Sequence, residues 1–110
     1  MYKSDLLEKY IELFNRGVES SDFEPMLELF DENAVYEFED PRIGIFEGRD
    51  NIARMLRLQS PSSPMSLFNI KENDLAATAD YADDIAPLTR LGGIKLFSSN
   101  GKIKKLIIKR

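Results

Sequence analysis

Between Asp31 and Pro41 the chain reads Asp-Glu-Asn-Ala-Val-Tyr-Glu-Phe-Glu-Asp-Pro, a polar turn running into strict alternation that stops at an acid followed by proline. Alternation of this kind marks a strand whose two faces differ, because successive side chains point to opposite sides. Val35, Glu37 and Glu39 take one face, while Ala34, Tyr36, Phe38 and Asp40 take the other. Asp40 thus ends an otherwise apolar and aromatic face. A carboxylate there is costly to desolvate unless it is paired, stands at the mouth of a pocket, or takes part in chemistry.

The segments around this strand read as its walls. Ser4 is a candidate cap for a first helix in which Leu6, Leu7, Tyr10, Ile11, Leu13, Phe14 and Val18 recur at spacings of three and four, with Asn15-Arg16-Gly17 and Ser20-Ser21 breaking the pattern. Ser21-x-x-Glu24 has the form of a capping box for a shorter second helix that buries Phe23, Met26, Leu27 and Phe30, with Pro25 in its first turn. Asp40-Pro41 forces a turn into a return strand over 43–46. Gly48-Arg49-Asp50-Asn51 opens a third helix with Ile52, Met55 and Leu56 inward and Arg49, Arg54 and Arg57 outward, ended by the Ser60–Pro64 loop.

Period two then returns. Residues 65–71 place Phe68 and Ile70 on one parity, Asn73-Asp74 turns into an Ala-rich strand over 75–81, and Asp80, Asp83 and Asp84 form an acidic close. A further strand over 87–97 contains Gly92-Gly93, which predicts a bulge or sharp bend. Ser99-Asn100-Gly101-Lys102 between alternating runs predicts a type I′ hairpin pairing 94–97 with 103–109. The acidic trio lacks the glycine and spaced acids of a calcium loop and reads as a solvated turn, so no metal site is expected.

The 110 residues, without a long apolar run, suit a single domain over 1–110 with one modest core. The sequence shows neither a membrane-spanning segment nor a leader at Met1-Tyr2-Lys3-Ser4-Asp5, which makes a cytoplasmic location the expectation. Cysteine, histidine and tryptophan are absent, which excludes disulfides, thiol nucleophiles, histidine-based triads and the common zinc and haem ligand sets. Acid–base chemistry has to come from Asp, Glu, Tyr or Lys. A net charge of −4 argues against nucleic acid or anionic membrane as partner, with Lys102, Lys104, Lys105, Lys109 and Arg110 read as solvated strand positions.

Tyr10-Ile11-Glu12-Leu13-Phe14-Asn15, Met26-Leu27-Glu28-Leu29-Phe30-Asp31-Glu32-Asn33-Ala34-Val35, Asp40-Pro41, Phe46-Glu47-Gly48-Arg49-Asp50-Asn51-Ile52 and Asn100-Gly101-Lys102-Ile103, in that order and spacing, resemble the NTF2-like superfamily, SnoaL-like branch, over nearly the whole chain. The resemblance implies an α+β cone: about three N-terminal helices packed in a curved mixed or antiparallel sheet around an apolar cavity, with homodimers formed through the outer sheet face. It implies a pocket for a small apolar organic ligand, with Phe14, Tyr36, Phe38, Met55 and Phe68 as candidate lining residues, and no cofactor. The chain's close at Lys109-Arg110 leads us to expect a small cavity taking compact, uncharged or weakly basic ligands.

Within that superfamily the nearest enzyme pattern is that of ketosteroid isomerase. Its helix-one tyrosine, an oxyanion donor, matches Tyr10, and its general-base aspartate before proline matches Asp40, although the strand leading to Asp40 is about two residues longer here. Its second pocket acid has no counterpart, since Arg90 or Gly93 falls at that position. The acid of SnoaL-type cyclases, the Arg-x-Asp of epoxide hydrolase relatives and the histidine of dehydratase relatives are also missing. Two readings follow: isomerase- or lyase-type proton transfer with Asp40 as base and Tyr10 as donor, or a non-catalytic dimeric binding or assembly module. In the second, Tyr10 is a core residue with its hydroxyl satisfied and Asp40 caps a turn.

Overall fold

A computed structural model describes residues 2–83 and 89–109. Three helices, α1 (Lys3–Ser20), α2 (Glu24–Leu27) and α3 (Arg49–Leu58), pack on one face of a six-stranded sheet of β1 (Phe30–Phe38), β2 (Ile45–Glu47), β3 (Met65–Glu72), β4 (Ala77–Asp83), β5 (Gly92–Ser99) and β6 (Lys102–Lys109). The strand order is β2-β1-β6-β5-β4-β3. Only the β1–β6 pair is parallel, with Tyr36 opposite Leu106; the other neighbours run antiparallel. The sheet is curved and open, which gives the α+β cone. No helix among the described residues is long and apolar enough to cross a membrane.

The core is what the apolar periodicities require. Leu6, Leu7, Tyr10 and Phe14 of α1 meet Met26 and Leu27 of α2, Ile52 and Leu56 of α3, and the inward row Ala34, Tyr36, Leu96, Ile94, Leu106 and Ile103. Asn100 (φ 53) and Gly101 (φ 76) both lie in the left-handed region, as a type I′ turn demands. Ile94 faces Ile108 and Leu96 faces Leu106 across the hairpin.

Several local expectations are corrected. Ser4 caps nothing: it lies inside α1, and its backbone N–H donates to Glu72 Oε1 at 2.7 Å, so the helix start is closed by a carboxylate from β3. The first helix does not break at Asn15-Arg16-Gly17, because Gly17 has no side chain and the Phe23 ring packs into the space. Ser21 forms no capping box. It ends α1 in the left-handed region (φ 63) with its N–H on the Gly17 carbonyl, and Asp22 Oδ1 instead accepts the Glu24 N–H at 3.1 Å.

The return strand starts at Ile45, since the N–H groups of Ile43 and Gly44 both turn back to the Asp40 carbonyl. The Ala-rich strand starts at Ala77, because the Asn73 side chain holds the N–H groups of Leu75 and Ala76. Gly92-Gly93 makes no bulge; its pairing with Tyr81 and Asp80 is regular, and Gly92 serves a close approach to Tyr81 and the Lys109 carbonyl. The register irregularities fall in β1 between Phe30 and Val35, at Phe97/Ser98, and in β3 between Phe68 and Lys71, around Asn69 (φ 54). Pro87 and Leu88 of the predicted strand, Asp84 of the acidic trio and Arg110 of the basic tail lie outside the described residues.

Candidate functional site

β1 builds one wall of the cone interior. Its inward parity aligns Phe30, Tyr36 and Phe38 in a run of stacked rings, with centroids 5.8 Å and then 4.9 Å apart and interplanar angles of 11° and 17°. Phe46 of β2 meets Phe38 edge-on at 6.2 Å. A cavity of about 250 Å³ opens against this wall. Tyr36, Phe38 and Asp40 form one side of it, Phe14 of α1 and Met55 and Leu56 of α3 another, and Tyr81 and Ile108 the sheet side, with Ile43, Gln59, Pro61 and Met65 completing it.

Asp40 lies two residues beyond the end of β1, in the turn that returns to β2, and retains the parity of Tyr36 and Phe38. Its carboxylate is gripped by Arg42. Oδ1 accepts the Arg42 backbone N–H at 3.0 Å and Nε at 3.1 Å, and Oδ2 accepts Nη2 at 2.8 Å. Arg42 is 82% exposed in its side chain against 11% for Asp40, so the pair is a fork reaching in from solvent at the rim. The fork fixes the carboxylate at the rim through two charge-assisted hydrogen bonds beside the backbone one.

Tyr10 stands behind the wall. It is fully buried, and its hydroxyl lies 2.6 Å from that of Tyr36, a length typical of a strong O–H···O bond. Tyr36, rather than Tyr10, is the described lining residue. Burial pushes the Tyr36 hydroxyl up to about 12, despite the opposing effect of the bond from Tyr10, and burial followed by the Tyr36 neighbour raises Tyr10 well above its ordinary value. Both phenols therefore stay neutral donors across the physiological range.

Of the candidate lining residues, Phe14, Tyr36, Phe38 and Met55 come together around the cavity and Phe68 does not. The bulge at Asn69 is the reason. Leu67 pairs with Tyr81 on the inner face, Phe68 pairs with Asp80 on the outer face, and the extra residue then returns Ile70 to the inner face, so Phe68 and Ile70 point oppositely. Tyr81, Gln59 and Arg42 were not anticipated. Tyr81 shares parity with the buried Ala77 and Ala79, and Gln59 follows Met55 by four, so both patterns were available in the sequence. Among the described residues, no cluster of acids suits a metal ion; Asp80 is committed to Arg90 and Asn69.

The elements and cavity define an open α+β cone with an apolar interior. No protein-family model matches the sequence, and no curated protein is similar to it in sequence. Solved structures are similar to it in fold. An NTF2-like protein from Anabaena variabilis superposes with a TM-score of 0.77 at 15% identity, over 96% of this chain and 87% of that one. A Kribbella flavida protein provisionally assigned as a ketosteroid isomerase gives 0.68 at 18% identity, over 96% and 75%. A de novo designed protein with a curved β-sheet gives 0.65 at 12% identity, over 94% and 84%. The chain has the NTF2-like fold. Since a designed protein shares the shape, the shape carries no activity by itself, and the residues in the cavity must be argued on their own chemistry.

Proposed function

We propose that this protein binds a compact, planar, uncharged organic molecule in the cone, and that Asp40 with the Tyr36–Tyr10 pair gives the site a capacity for cofactor-free proton transfer. The observation that carries the reading is the composition of one cavity wall: stacked aromatic rings, a carboxylate at the rim and the Tyr36 hydroxyl on the same strand face, backed by Tyr10 of α1. A flat ring system matches the Tyr36–Phe38 stack in shape and polarity. At about 250 Å³ the cavity is below the usual range for drug-sized ligands, roughly 300–1,000 Å³, which favours one or two fused rings.

In the catalytic form of this reading, Asp40 takes a proton from a carbon next to the ligand's carbonyl. The electron pair left behind moves to the carbonyl oxygen, and the resulting enolate oxygen accepts a hydrogen bond from Tyr36, whose own oxygen accepts one from Tyr10. Return of the same proton to a conjugated carbon completes an isomerisation. This assigns Tyr36 the contact with the oxyanion and Tyr10 the support behind it. For Asp40 to act as base, Arg42 has to swing away, which its exposure permits. The Arg42 fork also favours a second reading, a binding module in which Asp40 anchors the rim turn. Two copies paired through the outer sheet face, where Val35, Ile45, Phe97 and Ile107 lie among charged neighbours, complete either reading.

Exchange of the α-protons of a small cyclic enone in deuterated water, followed by NMR, tests the catalytic form. The wild type should accelerate exchange, Asp40→Asn should abolish the acceleration, and Tyr36→Phe should lose about 10²- to 10³-fold, the scale of one oxyanion donor. Exchange by Asp40→Asn at the wild-type rate overturns the assignment of the base. Ligand binding retained in both variants, with no acceleration in the wild type, establishes the binding module.

A further inference from the structure

We infer that the outer face of the sheet carries a second site, independent of the cone, for a small phosphate-bearing anion. A hollow of about 300 Å³ lies across β3, β4, β5 and the end of β6. In a chain of net charge −4 it gathers Lys71, Arg90, Lys95 and Lys109 around a single carboxylate, Asp80. The hollow exists because Gly93 contributes no side chain: a Cβ there would stand 3.3 Å from Arg90 Nη2 and 3.5 Å from the Ala79 carbonyl. The register sets the cations around that gap. Lys71 and Lys95 lie on either side of Thr78 in one cross-strand row, and Lys109 lies beside Gly93, opposite Asp80, in the next. With strands ~4.8 Å apart, the Lys71 and Lys95 backbones are ~10 Å apart, within reach of one ligand between two lysine side chains.

Asp80 does not neutralise this group. Its Oδ1 is taken by Arg90 Nε at 2.7 Å and its Oδ2 by the Asn69 amide at 3.0 Å, the latter delivered by the bulge. Among the described residues, no ion pair engages Lys71, Lys95 or Lys109; Lys95 rests over the Phe97 ring, 5.3 Å from its centroid. Arg90 is thereby held rigid by Asp80 with Nη2 over the floor of the hollow. The donor set is one fixed guanidinium edge, three mobile point charges and the Thr78 hydroxyl. It suits a tetrahedral oxyanion of charge two or more better than a planar carboxylate, which would call for an uncommitted arginine fork. Pairing of two copies that buried the empty hollow would have to strip water from the unpaired lysines, a cost the anion removes.

Calorimetric titration of the full chain with inorganic pyrophosphate at low ionic strength tests the site, alongside inorganic phosphate and a sugar phosphate to separate recognition of the phosphoryl group from recognition of its carrier. Saturable binding of one pyrophosphate per protomer is expected, weakened roughly tenfold by Lys71→Gln or Lys95→Gln, the scale of one charge-assisted hydrogen bond, and unchanged in Asp40→Asn. In ¹⁵N-resolved NMR spectra the shifted amides should cluster at Asn69, Thr78 and Gly93. The proposal is overturned by the absence of saturable binding, by equal affinity in the Lys71→Gln/Lys95→Gln double variant, or by amide shifts confined to the cone. Loss of enone exchange in Asp40→Asn with intact pyrophosphate binding leaves both sites standing as separate.

Discussion

Tyr36 and Tyr10 hold one proton-rich hydrogen bond inside the core, and its titration is the most direct handle on the site. Both phenols have folded-state values above the ordinary 10.0, Tyr36 reaching about 12. The folded state therefore binds protons more tightly than the unfolded chain, so their contribution to stability is intact below pH 10 and is lost as pH rises from there toward 12. We predict that the tyrosinate absorbance of Tyr10 and Tyr36, isolated by difference against the Tyr10→Phe/Tyr36→Phe variant, lags behind free tyrosine and then appears together with unfolding; titration of that pair at ordinary pH without loss of the fold contradicts it. Asp40 was placed on the cavity face by parity alone, since period two survives into the turn. The resemblance places Tyr10 in the cavity as a donor, yet it sits one layer behind Tyr36. Helical periodicity identifies a face but not the depth at which a side chain ends, and depth here is set by strand β1, far away in sequence.

At the scale of the element, β3 shows where local sequence rules are overridden. It is an edge strand, and both its ends are tied to α1: Asn15 Nδ2 donates to the Met65 carbonyl and Asn15 Oδ1 accepts the Met65 N–H, each at 2.8 Å, while Glu72 receives the Ser4 N–H. The Asn15 amide thus replaces a missing neighbour strand for one residue and blunts the edge. Asn15→Ala should cost about 1–3 kcal/mol, the scale of two partly buried hydrogen bonds, seen as a lower urea midpoint with unchanged slope; an unaltered midpoint refutes this role. The Ser4 N–H, the leading cause, holds the Glu72 carboxyl below its usual range, so this clasp is present at neutral pH and weakens as pH falls through the depressed value. Asn15 and Glu72 bond to residues distant in sequence, which no capping rule reads; Asn69 gave no warning of a bulge because asparagine is equally common in ordinary turns. The Asn100-Gly101 hairpin was legible because its geometry depends on those two residues alone.

For the whole molecule, the outer sheet face is the surface through which we propose that two copies pair. Along it Glu37 and Glu47 belong to the β1–β2 side and Lys105 to β6, away from the hollow, with Lys105 Nζ 3.6 Å from Glu37. A two-fold arrangement can lay the acidic side of one copy on the basic side of the other around Val35, Phe97 and Ile107. Sedimentation equilibrium at micromolar concentration should give twice the 12.6 kDa chain mass, and Ile107→Glu should return it to the single mass; a monomer throughout for the wild type removes the claim. The fold class was legible because every element carried its own periodicity, whereas the proposed pairing would depend on a surface that no periodicity marks. The strand order has a further consequence for how the molecule is made. β6 follows both β1 and β5 in the chain yet sits between them, so a nascent chain holds two half-sheets with their hydrogen-bonding edges bare until β6 slides between them. The interval before that insertion exposes this protein to aggregation, and a ribosome stalled shortly before β6 should yield a species that holdase chaperones capture and that a chain including β6 escapes.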